Sequence, residues 1–364
     1  MTHSSRRARL RAAITAADLD AILVTDLVNV RYLSGFTGSA GALLVYADDR
    51  PTVLATDGRY RTQAARQAPD LSVLIERAGA SRLAAGAAES GVRRLGFEAD
   101  VVTVDAFDTL SAAAEGVNLV RAAGSVEALR ETKDAGEVAL LRLACEAADA
   151  ALTDLLARGG LRPGRTEREV RRELESLMLD HGADAASFET IVATGANSAV
   201  PHHRPTDAVL TAGDLVKIDF GALVAGYHSD MTRTFVLGSP ADWQREIYQV
   251  VADAQSAGRA ALEPGADLRA VDAAAREVIA AAGYAETFSH GLGHGVGLRI
   301  HEAPGINATA AGTLLAGAVV TVEPGVYLPE RGGVRIEDTL VVADTPGQTP
   351  ELLTRFPREL TIVT

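Results

Sequence analysis

The sequence has one cysteine, Cys145, which excludes an intrachain disulfide. A reducing, cytoplasmic setting fits that scarcity. Cys145 lies in an Ala-rich helical stretch, where a small packed residue is expected and a nucleophile is not. Basic residues are outnumbered, 35 against 48 acidic, for a net charge of −13. That balance excludes the basic footprint of a nucleic-acid-binding domain. No window is long and apolar enough to span a bilayer, so no membrane partner is expected. The polar, Arg-rich stretch from Met1 to Arg11 is followed by no apolar signal core, so export is not expected. A Gly-x-Ser-x-Gly elbow is missing, which removes the serine-hydrolase reading. The Gly-rich run at 289–298 lacks Gly-Lys-Ser/Thr and is not a phosphate loop.

What is present is apolar material, 47% of 364 residues, enough for sizeable cores in about two domains. Short apolar runs at 21–25, 42–46, 52–56, 72–75 and 94–97 read as strands. Helical patterns at 6–17, 60–68 and 106–114 alternate with them, as in an α/β domain with a mixed sheet. A long helix is expected over 137–157. The boundary is expected near 123–125, dividing residues 1–124 from 125–364. The second part carries a weak repeat. Leu161-Arg162-Pro163-Gly164 precedes Thr166 and Val170, and Leu262-Glu263-Pro264-Gly265 precedes Asp267 and Val271, each pair 101 residues apart. In both copies Pro-Gly ends a helix and Thr or Asp caps the next. A duplicated α/β unit would leave a cleft between its halves.

Each half also carries a hairpin with carboxylates. In the first, Val216, Ile218 and Phe220 alternate with Lys217 and Asp219, and Gly226 marks the turn. A simple hairpin centred between Val224 and Ala225 sets Asp219 opposite Asp230. In the second, a hairpin centred on Glu330 sets Glu323 opposite Glu337, with Arg335 on the same face as Glu337. Opposed carboxylates repel unless a proton, an arginine or a metal compensates. With one neutral imidazole, two such pairs carry charge −4, which two divalent cations balance. Oxygen-rich ligation favours Mn²⁺ foremost, with Co²⁺, Fe²⁺ or Zn²⁺ also compatible. Histidines cluster at 289–301, with His290, His294 and His301, and at Pro201-His202-His203-Arg204-Pro205. Neutral imidazoles there suit metal ligation or hydrogen bonding to a reacting carbonyl.

Asp219-Phe220-Gly221, 229–234, 293–298, Val322-Glu323-Pro324-Gly325 and 333–338 resemble the five signature segments of the pita-bread metallopeptidases, which include methionine aminopeptidase, aminopeptidase P and prolidase. The segments 29–36 and 57–60 resemble the creatinase-type N-terminal domain of Xaa-Pro peptidases. The resemblance implies a creatinase-type α/β domain over 1–124, then a pita-bread α/β (α+β) catalytic domain over 125–364 with pseudo-twofold halves. It implies that Asp219 binds one metal through both oxygens, that Asp230 and Glu337 bridge both metals, and that His294 and Glu323 complete the second. His202 and His301 would contact substrate or the developing oxyanion, Glu323 would act as general base, and His290 and Arg335 would support the pocket. The implied activity is hydrolysis of an N-terminal Xaa-Pro bond, of the aminopeptidase P type. An Xaa-Pro dipeptidase (prolidase) is the alternative. A metal-free binding module and a creatinase-like carbon–nitrogen hydrolase are the readings from other classes, and the retained ligand positions argue against both. The implied partner is a peptide with a free N-terminus and proline second, and the implied assembly a homodimer.

Overall fold

The computed structural model describes residues 1–364. They form two compact units, Met1–Arg130 and Glu131–Thr364.

The first unit is built on a six-stranded mixed sheet. Its spatial order is Ser72–Ile75, Val53–Thr56, Ala42–Tyr46, Ala21–Val24, Arg94–Phe97, Asn118–Arg121. The strands Ala21–Val24 and Ala42–Tyr46 are buried throughout, which is why they read as unbroken apolar runs and not as alternation. All the expected strands are present, together with Asn118–Arg121 and two helices, Leu27–Ser34 and Gly79–Glu89, that apolar periodicity does not announce. Asp26 caps Leu27–Ser34, and Gly35, at φ 78°, ends it. This helix carries the 29–36 segment, and its polar side chains are structural. Asn29 donates to Glu98 at 2.7 Å and to Glu127, and accepts from Arg130 at 2.8 Å. The Tyr32 hydroxyl donates to the Leu129 carbonyl at 3.0 Å. These bonds bind the short helix Glu127–Arg130 to the first unit, so the units divide after Arg130, beyond the edge at 124 read from the sequence.

The second unit repeats one plan twice. The helix Ala135–Ala157 opens on a capping box between Asp134 and Glu137. The chain then turns at Pro163-Gly164, and Thr166 caps Glu167–Asp180. In the second half Asp242–Ala260 is followed by Pro264-Gly265, and Asp267 caps Leu268–Ala281. The two turns match in detail. Gly164 N donates to Leu210 O at 2.9 Å and Gly265 N to Leu314 O at 2.7 Å, with the glycines at φ 90° and 88°. Thr166 bridges Val209, and Asp267 bridges Thr313.

Each half has its own core against its own sheet. Leu152, Leu155, Val170 and Leu174 pack on Val192, Ile218, Phe220 and Phe235. Ile247, Val251, Val271 and Ile279 pack on Val320, Val322, Val334 and Leu340. The sheets run Thr361–Val363, Met231–Leu237, Leu215–Phe220, Ile191–Thr194 in the first half. In the second they run Glu302–Ile306, Gly293–Gly295, Val319–Val322, Asp338–Val341, Glu351–Leu352. Bonds across the halves fix their relation. Glu337 N donates to Thr232 O at 3.1 Å, Gly333 N to Ser198 Oγ at 2.9 Å, and Arg233 pairs with buried Asp338 at 2.8 Å.

Candidate metal centre and active site

Two hairpins, one per half, deliver the carboxylates. In the first, Asp219 pairs with Thr232, not with Asp230 as the simple hairpin predicts. The turn residues are Ala225 and Gly226, at φ 46° and 78°, so the centre lies between them. This two-residue turn needs left-handed backbone at both positions, which glycine supplies at the second. The shift is two residues, an even number, so Asp219 and Asp230 still share a face. In the second hairpin the pairs Val322 with Asp338 and Gly325 with Arg335 keep the expected register on either side of Glu323 and Glu337. Glu330, at φ 63°, sits at its centre.

The side chains converge. Asp230, His294 and Glu337 offer donor atoms that all lie within 4.8 Å of one another, a group that could hold a metal ion. His294 Nε2 lies 3.5 Å from both Asp230 Oδ2 and Glu323 Oε1. His294 Nδ1 faces the Gly295 carbonyl at 3.0 Å. A carbonyl only accepts, so Nδ1 donates to it, which leaves Nε2 as the ring nitrogen that faces the carboxylates and could ligate a metal there. Glu323 accepts from Thr321 Oγ1 at 3.3 Å, and Glu337 accepts from Thr232 Oγ1 at 2.7 Å. Asp219 forms a buried ion pair with Arg335, while its other oxygen, Oδ1, is buried without a partner.

The electrostatics call for cations. Burial, and then the charges of Asp219 and Glu323, push the Asp230 carboxyl well above its ordinary range. Burial, with Asp230 and Glu323 beside it, does the same to Glu337. Burial also raises Glu323, although His294 and Arg335 oppose it. A buried, unpaired carboxylate oxygen beside such a cluster fits a site for hard or borderline divalent ions.

Histidines and cations frame the cleft. The imidazoles of His202 and His301 line it, and His301 stacks edge-on against His294 with centroids 4.4 Å apart. Burial, then the proximity of His294 and His202, lowers the His301 pKa. His290 Nε2 lies 2.8 Å from the Tyr327 hydroxyl, and burial and Arg335 lower its pKa to about 4. Both are therefore neutral at neutral pH. Arg335 is the hub of the supports, donating to Thr232 Oγ1 at 3.0 Å, to Tyr327 at 2.8 Å and to the Pro201 carbonyl at 3.3 Å.

Several contributors escaped sequence reasoning. In the sequence Lys217 only alternates with apolar residues, and no role is read for it. It is fully buried, its ammonium donating to the carbonyls of Ser198, Val200 and Pro201 at 3.1, 2.7 and 3.3 Å. Glu167 is buried too, and it accepts from Thr194 N, Asn197, His203 and Thr206. Although burial pushes its carboxyl up, those hydrogen bonds hold it below the usual value. The strand Leu215–Phe220 is buried along its whole length, so both of its faces are interior and the alternation in its sequence marks no solvent face. Phe188, Ile191 and Ile300 form the apolar side of the cleft, whose volume is about 310 Å³.

The model of metallopeptidase family M24 matches residues 139–344, and that of the creatinase/prolidase N-terminal domain matches residues 6–132. The chain is 36% identical over 342 residues to a Xaa-Pro dipeptidase of Pyrococcus horikoshii, covering 94% of each. Among solved structures it is similar to a Xaa-Pro dipeptidase from Bacillus anthracis (TM-score 0.93, 39% identity, 99% of this chain and 100% of that one). It is also similar to an X-Pro aminopeptidase from Thermotoga maritima (TM-score 0.88, 33% identity, 97% of this chain and 100% of that one). With its two-carboxylate hairpins, its pair of α/β halves and its creatinase-type N-terminal domain, the chain belongs to metallopeptidase family M24.

Proposed function

We propose that the chain is a Xaa-Pro dipeptidase that works with two divalent ions. The observation that carries the metal reading is the cluster of Asp219, Asp230, His294, Glu323 and Glu337. Asp219, Asp230 and Glu337 are buried, His294 and Glu323 half-buried, the carboxylates repel one another, and one carboxylate oxygen lacks any partner. Asp219, Asp230 and Glu337 would hold the ions with His294 and Glu323, and Mn²⁺ suits the donor set. Bound there, the ions supply Lewis acidity toward the substrate carbonyl and lower the pKa of water.

The chain's own groups do the rest. Glu323, whose burial raises its proton affinity, takes a proton from the attacking water and passes it to the prolyl nitrogen. His301 and His202, facing the cleft, donate hydrogen bonds to the carbonyl oxygen as it gains charge. Phe188, Ile191 and Ile300 offer an apolar wall for the pyrrolidine ring and exclude water from it. The Xaa-Pro bond is a tertiary amide, so this wall need not accept from an N–H.

The dipeptidase reading replaces aminopeptidase P as the leading choice. The relatives named Xaa-Pro dipeptidase include one at 39% identity over nearly the whole chain, against 33% for the X-Pro aminopeptidase. The deciding experiment compares kcat/KM for Xaa-Pro with that for Xaa-Pro-Yaa, in protein loaded with defined metals. Preference for the dipeptide is expected. Preference for the longer peptide would return the assignment to an aminopeptidase.

A further inference from the structure

His202, His203 and Arg204 line the cleft in succession. Three bonds from Lys217 and one from Arg335 pin the backbone at 198–201, and His203 Nε2 is held by buried Glu167 at 2.8 Å. Arg204 follows and borders the same cavity as Asp219, His301 and Glu323, beside the apolar Phe188 and Ile191.

The cations near the cleft differ in what they have left to offer. Arg335 spends its guanidinium on Asp219, Tyr327, Thr232 and Pro201. Arg276 spends its own on Asp272 and on the carbonyls of Phe288 and His290. Arg204 makes one ionic contact, from Nε to Glu189 Oε2 at 3.2 Å, with side chains 83% and 52% exposed. Glu189 is also 3.9 Å from Arg171. So exposed a pair contributes little and opens easily. Beyond that contact Arg204 is largely exposed, and a guanidinium presents a paired set of donors that matches a carboxylate.

A Xaa-Pro dipeptide carries its carboxylate on the prolyl Cα, next to the scissile nitrogen. That charge must be received at the cavity that holds the reacting carbonyl. We propose that Arg204 receives the C-terminal carboxylate of the dipeptide and sets the preference for dipeptides, with Glu189 as the internal competitor it leaves on binding. The proposal rests on the dipeptidase reading above. A longer peptide places a neutral carbonyl and further chain at the same point, so it gains no ion pair there.

The test uses full-length, metal-loaded enzyme with a Xaa-Pro dipeptide and its C-terminal amide. In Arg204→Gln, KM for the free acid is expected to rise about tenfold, the value of one charged hydrogen bond, with kcat near the parent's. The amide should be handled as by the parent. Arg204→Lys should recover part of the loss, and Glu189→Gln should lower KM for the acid. Parent-like KM for the acid in Arg204→Gln, or equal losses on acid and amide, would overturn the assignment. Parent enzyme that ignores free dipeptides while cleaving Xaa-Pro-Yaa would overturn the dipeptidase reading itself, and the carboxylate assignment with it.

Discussion

Arg335 and Asp219 form a buried ion pair across the two halves of the second unit, 116 residues apart in the chain. The guanidinium neutralises one carboxylate of a cluster that burial and mutual repulsion otherwise drive toward protonation. Arg335→Ala leaves Asp219 buried without its cation, at a cost of about 3–5 kcal/mol when no metal is bound. Denaturant midpoints of parent and variant, with and without Mn²⁺, measure it. The gap is expected to narrow when metal is added, because bound cations take over the neutralisation. A gap that metal leaves unchanged would show that Arg335 acts through packing.

Removal of metal is expected to abolish hydrolysis, and Asp230→Ala or Glu337→Ala to reduce it more completely than Arg335→Ala. These two carboxylates are the proposed ligands of both ions, so each loss weakens two sites. Metal content by mass spectrometry, read beside turnover, decides the point. Parent-like stoichiometry and rate in Asp230→Ala would refute the ligand assignment.

His301→Ala is expected to bind metal as the parent does and to lose about a hundredfold or more in kcat, the value of an oxyanion donor. His294 offers its free Nε2 to the carboxylate cluster, whereas His301 packs against it on the cleft wall. A variant that loses a metal and regains full turnover at high metal concentration would make His301 a ligand.

His290 gives a pH dependence of definite sign. Its pKa is lowered to about 4 in the fold from an ordinary 6.5, by burial and by Arg335. Between those values the unfolded chain binds more protons than the native one, so stability rises with pH. The contribution is complete above about 6.5 and is lost as pH falls toward 4, by at most about 3 kcal/mol. In chelator-treated protein, His290→Asn should flatten the loss of unfolding free energy between pH 6.5 and 4 relative to the parent. Parallel profiles would remove His290 from the acid limb.

Much of this was legible in the sequence where local signals and pairing geometry agree. The Glu323–Glu337 register follows from counting outward from Glu330, and the structure keeps it. The Asp219–Asp230 register fails because the turn is the pair Ala225-Gly226, and one glycine does not say which side its partner lies on. The runs Ala21–Val24 and Ala42–Tyr46 of the first unit stand out because both faces are buried. Lys217 and Glu167 stay hidden for the opposite reason. Their partners are backbone and side-chain groups supplied by distant loops, and no spacing in the chain encodes those contacts. The helix Leu27–Ser34 is short and depends on its Asp26 cap and on Glu98 beyond it, so periodicity alone cannot find it.

The division of the proposed ligands between two repeated halves has a consequence during synthesis. A chain emerging from the ribosome presents Asp219 and Asp230 about 65–75 residues before His294 and about 95–120 before Glu323 and Glu337, at roughly 5–20 residues per second. Until Glu337 N has met the Thr232 carbonyl, the proposed ligand set is incomplete. On that assignment, a product truncated before Glu337 lacks a proposed ligand of both ions.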